Sequence, residues 1–89
     1  MAKKQIRTRK EIKEILHRAF RREFPQDTVD ISDGYRDNIH VMVVSRKFDK
    51  KSEKAKQDLM WKIIDRTDLT EEEKGRISLA YPLSPAEIK

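Results

Sequence analysis

Residues 39 to 44 read Ile-His-Val-Met-Val-Val, a β-branched run that is apolar on both parities. In a strand, Ile39, Val41 and Val43 share one face while His40, Met42 and Val44 share the other, so neither face is plainly wet. The run suits a central strand paired on both edges, extending from Ile39 to Ser45. A chain of 89 residues must then arrange its other elements around one small sheet, as a single domain burying about 60–65% of its unfolded surface. That size excludes a deep catalytic cleft between two domains.

The flanking segments have readable periods. Thr8 and Glu11 have capping-box spacing, and Ile12, Ile15, Leu16, Ala19 and Phe20 recur at helical intervals. An amphipathic helix over Arg9 to Glu23 follows, terminated by Pro25. Val29 and Ile31 alternate with Asp30 in a strand from Thr28 to Ser32, and Asp33-Gly34 opens a loop to the central strand, making an antiparallel hairpin. A second helix is expected from Ser52 to Arg66, with Ala55, Leu59, Met60 and Ile63 on its apolar side. Thr70 and Glu73 mark a short helical turn ended by Gly75, and Ile77, Leu79 and Tyr81 alternate in a third strand. Ser84-Pro85-Ala86-Glu87 starts a final helix. The expectation is an α+β domain of order α-β-β-α-α-β-α over residues 9–89, with helices on one face of a three-stranded sheet, preceded by a flexible basic segment, 1–8.

Charge narrows the function. The net charge is +5, and the cations fall in two blocks: nine against three anions in residues 1–24, eight against four in 46–66. Such a balance favours polyanionic partners and also keeps small proteins soluble. There is no cysteine, hence no disulfide framework, thiolate nucleophile or thiolate metal site. No apolar run approaches a membrane span and no secretory signal is evident, which points to a cytosolic protein without a membrane role. No serine has a matching histidine and carboxylate, and no glycine loop cradles phosphate, so an enzyme is not expected.

The second block carries the binding candidates. Arg46, Lys47, Lys50, Lys51, Lys54 and Lys56 cluster at a strand end and the first turns of a helix, where phosphates could be held; Trp61 and Lys62 lie further along, where a ring could stack on a base. The same lysines, interleaved with Asp49, Glu53 and Asp58, also describe a solvated helix face, and Trp61 equally suits packing against a neighbouring helix. Lys10, Lys13, Arg18, Arg21 and Arg22 offer a competing basic surface on the first helix.

The order of elements, Val43-Val44-Ser45-Arg46-Lys47-Phe48, the helix bearing Leu59-Met60-Trp61, and the closing Leu79-Ala80-Tyr81-Pro82-Leu83-Ser84-Pro85-Ala86-Glu87 resemble the BolA-like family, from about Ile12 to Ile88. The resemblance implies a fold like the second type of KH domain, no enzymatic activity, and two roles: DNA-binding regulation, and partnership with monothiol glutaredoxins around an iron–sulfur cluster. The family's usual histidine at the start of the last strand falls on Arg76, and the loop that often carries a second ligand reads Gly34-Tyr35-Arg36-Asp37-Asn38. Arginine offers no lone pair to iron, so no metal or cofactor is expected. The glycine that often follows the phenylalanine by two is Lys50, and the basic cluster of the second helix is thinned to Lys56, Gln57 and Asp58. Gly34 and Gly75 are the only glycines, so the paired-glycine loop by which KH domains clamp RNA is absent, which favours DNA over RNA. Three readings stand: a DNA-binding regulator using the lysine cluster, an adaptor docking a glutaredoxin-like partner, and a divergent member with another protein partner at the Arg76 edge.

Overall fold

A computed structural model describes residues 7–88. The order is α1 (Arg9–Glu23), β1 (Thr28–Asp33), β2 (Ile39–Val44), a 3₁₀ turn (Arg46–Phe48), α2 (Glu53–Asp65), α3 (Glu71–Lys74), β3 (Ile77–Leu83) and a closing 3₁₀ turn (Pro85–Ile88). The fold is α+β, with a mixed three-stranded sheet of order β1-β2-β3. β2 is central as expected, antiparallel to β1 and parallel to β3.

Local chemistry accounts for the element starts. Thr8 and Glu11 form the α1 capping box, Ser52 caps α2 by accepting from the Ala55 N–H, and Thr70 and Glu73 repeat the box on α3. After α1, the Arg21 guanidinium donates to the carbonyls of Phe24, Pro25 and Asp27, satisfying the chain as it turns toward β1. Arg21 therefore serves the fold rather than a basic surface. In the hairpin loop, a Cβ on Gly34 would lie 2.6 Å from His40 Nε2, so a larger residue there would displace the imidazole.

The core lies on one face of the sheet. Ile39, Val41 and Val43 are fully buried there against Ile12, Leu16 and Phe20 of α1 and Met60, Ile63 and Ile64 of α2. Two sequence expectations require correction. Ala55 is exposed and Leu59 only half-buried, while Lys56 and Ile64 join the buried side of α2. In β3, Leu79 and Tyr81 point outward, 39% and 49% exposed, because a register shift between Ile39 and His40 pairs Ile77 with the first and Leu79 with the second. The irregularity reverses the parity of β3 after Ile77, so Ala80 and Pro82, opposite Val41 and Val43, take the inner face. Pro82 lacks an N–H, and Gln57 Nε2 donates to the Ala80 carbonyl at 2.8 Å, which together blunt this edge strand.

The ends differ from expectation too. The helix start at Ser84 yields a 3₁₀ turn. Of the segment expected to be flexible, residues 1–6 lie outside the described part, and Arg7 and Thr8 are hydrogen-bonded. The Arg7 N–H donates to Glu73 Oε2 at 2.8 Å and its guanidinium to Glu73 Oε1 at 2.8 Å and Asp68 at 2.9 Å. Glu73 is 1% exposed. The Arg7 and Thr70 backbone N–H groups, with the Arg7 charge, hold its carboxyl below the usual carboxylate range, against the opposing effect of burial.

Because this folded pKa lies below the unfolded value, the stabilisation is complete above the ordinary 4.5 and is lost as pH falls through the folded value. Glu73→Gln is expected to cost about 2–3 kcal/mol at neutral pH, by weakening charge-assisted hydrogen bonds to a buried group. Urea unfolding across acid pH should show a shallower decline in the variant than in the parent. Parallel declines would remove Glu73 from this role.

Candidate nucleic-acid interface

The basic corner is built by Ser45 and Phe48. Ser45, 2% exposed, follows β2 and caps the 3₁₀ turn; its N–H donates to the Leu83 carbonyl at 2.9 Å and its Oγ accepts from the Lys47 N–H at 3.0 Å. Three residues on, the fully buried Phe48 ring sits 5.5 Å from Phe24, which in turn stacks on Phe20. Further main-chain bonds, Asp49 N–H to the Arg46 carbonyl and Lys51 N–H to the Phe48 carbonyl, tie the corner to itself. The serine and phenylalanine of the motif are thus a cap and an anchor, and between and beyond them Arg46, Lys47, Lys50 and Lys51 are all exposed.

These cations are not equivalent. Lys47 Nζ turns back to the Glu23 carbonyl and over the Phe24 ring, 4.9 Å from its centroid, so it also closes the end of α1. Among the described residues, Arg46, Lys50 and Lys51 make no ion pair. Lys50 has φ 64°, the left-handed region that glycine occupies without cost. A lysine held there costs backbone stability relative to glycine. Lys50→Gly is expected to raise stability by about 1 kcal/mol in chemical denaturation; a loss of stability would mean that the lysine side chain supports the fold.

Further along, Lys54 pairs with Asp58 at 2.9 Å, both exposed, and this partner raises the lysine's pKa. Lys62 is exposed and Trp61 half-buried, its ring packed against the core. Helix geometry turns the two about 100° apart around α2. Lys56 leaves the phosphate set. It is 4% exposed, and its ammonium binds Glu87 at 2.8 Å and Glu53 at 3.1 Å. The Glu87 bond, with a smaller contribution from Glu53, raises its pKa despite desolvation.

Sequence spacing had no means of finding this latch, since Glu87 lies 31 residues away and also accepts from the Ser84 N–H at 2.8 Å. Lys56, then the Ser84 N–H, hold the Glu87 carboxyl below its ordinary value, so the latch is present above that value and released as pH falls through the lowered one. Glu87→Ala is expected to accelerate amide exchange at residues 84–88 at neutral pH. Unchanged exchange would show that packing alone holds the closing turn.

Arg76 sits at the other end of the sheet. It is half-buried, and its carbonyl accepts from the Ile39 N–H at 2.8 Å, which places it beside the end of the 34–38 loop. His40 lies against Gly34 in that loop and His17 is exposed on α1. Among the described residues, no three His, Cys, Asp or Glu side chains converge as metal ligands would, and no helix is long and apolar enough to cross a membrane. No family model, curated protein or solved structure matches the chain.

Proposed function

We propose that this chain is a BolA-like, non-enzymatic regulatory protein of the cytosol that binds DNA at the corner between β2 and α2. The observation that carries the reading is the set Arg46, Lys50 and Lys51, exposed and without ion pairs on a turn locked by Ser45 and Phe48. A rigid, unpaired cationic corner meets phosphate without first breaking internal salt bridges or ordering its own backbone. The left-handed Lys50 adds weight, because backbone strain is retained where a side chain has work outside the fold. Lys47 and Lys62 are further exposed cations, Lys54 is paired with Asp58, and Trp61 is half-buried.

The test is an amide chemical-shift titration with short duplex and single-stranded DNA at low and moderate salt. Shifts confined to residues 46–62 that fade as salt rises support the reading, with a log–log salt slope of about −2 to −3 if three phosphates are engaged. A spectrum that stays still at low salt overturns it.

A second reading is favoured by one contact. The Ile39–Arg76 bond brings Arg76 and the 34–38 loop to the same end of the sheet, where the resemblance to the BolA-like family would place a monothiol glutaredoxin partner. In that case shifts appear at residues 34–40 and 76–79 on addition of such a protein, and DNA leaves them unmoved.

A further inference from the structure

On the outer side of the helical layer, α1 and the C-terminal end of α2 enclose an open groove of about 540 Å³. Its floor is apolar: Ile15 and Ala19 from α1, Ile63 from α2. Arg18, Arg22 and Arg66 line its walls. Arg18 and Arg22 are exposed and form no ion pair among the described residues, and Arg66 reaches only 4.0 Å from Glu23. Of the two carboxylates in the groove, Asp68 is already held by Arg7 at 2.9 Å, which leaves Glu23 as the one other anion beside three arginines.

We propose that this groove receives an acidic amphipathic helix from a protein partner, at a site separate from the DNA corner. An apolar strip between two helices is the surface into which a third helix lays its anchors at i, i+3 or i+4 and i+7. Half-buried Ile15 and Ala19 leave surface for an apolar anchor, and the buried Ile63 closes the floor beneath them. Flanking guanidinium forks suit carboxylates, which they bind in bidentate fashion, and the excess of positive charge rejects a basic helix. A phosphodiester backbone would use the arginines but leave Ile15, Ala19 and Ile63 unused.

The probe is a capped 14-residue peptide carrying leucines at those intervals with glutamates on either side, titrated into the labelled protein beside a scrambled peptide of identical composition. Shifts at Ile15, Ala19, Ile63 and Thr67, stronger for the ordered peptide, are expected, with affinity falling about tenfold or more in Arg18→Glu/Arg22→Glu. Should that double variant perturb the free spectrum, Arg66→Glu on the opposite wall reads the same effect. Equal binding by the scrambled peptide, no shift up to millimolar concentration, or displacement of the ordered peptide by duplex DNA at these residues would overturn the proposal. The last outcome would assign the groove to the nucleic-acid surface.

Discussion

Phe48→Ala is expected to destabilise the protein by about 3–5 kcal/mol, the cost of emptying a fully buried aromatic site. A domain of this size has about 4–13 kcal/mol to lose, so the variant should be largely unfolded on modest warming. Phe48 joins the basic corner to the Phe24 and Phe20 rings of the α1 end, and its loss frees the turn that presents Arg46 and Lys47. Phe48→Leu, which keeps most of the volume, should stay folded and retain the corner. Urea unfolding measures the first effect, and amide shifts of residues 45–51 the second. A loss in Phe48→Ala no larger than in Phe48→Leu would mean that the turn stands without its anchor.

The other large effect concerns binding. Arg46→Glu, Lys50→Glu and Lys51→Glu together are expected to weaken duplex DNA binding about a hundredfold at low salt and to reduce the salt slope by about 2–3, since each lost phosphate contact removes roughly 0.9 from it. Anisotropy titrations at several salt concentrations would measure both. The control reverses Lys10, Arg18 and Arg22 on α1, lowering net charge by the same amount. If the two variants lose affinity equally, binding follows overall charge and the corner has no special place. A loss confined to the corner variant assigns the phosphates to it.

The pH behaviour follows from the same structure. Glu73 and Glu87 both have folded pKa values below ordinary, so both stabilise above that range and release below it. They differ in what they hold: Glu73 secures Arg7 and Thr70, whereas Glu87 secures Lys56 and the closing turn. Acid should therefore loosen the two chain ends independently, which the Glu73→Gln and Glu87→Ala variants separate.

Much of the architecture is written in short-range pattern. Thr8 with Glu11, Ser52 ahead of α2, and Thr70 with Glu73 place three helix starts, because a cap and the N–H groups it satisfies lie within three residues. Ile39, Val41 and Val43 identify the central strand for a similar reason, since the pleat repeats every two residues and needs no partner to be read. The cluster from Arg46 to Lys51 is equally visible as a run of charge.

Only the folded chain decides which of those charges remain free. Lys56 looks like its neighbours until Glu87, 31 residues on, buries and pairs it, and Arg7 is bound by Glu73 across 66 residues. Leu79 and Tyr81 belong to the inner alternation of β3 until the register shift opposite Ile39 and His40 turns them outward. Arg18, Arg22 and Arg66 become one groove only when α1 packs beside α2. The physical division is one of range. Helix caps, strand parity and charge density are set by neighbours along the chain, whereas burial, ion-pair partners and the composition of a surface are set by whatever tertiary packing brings alongside.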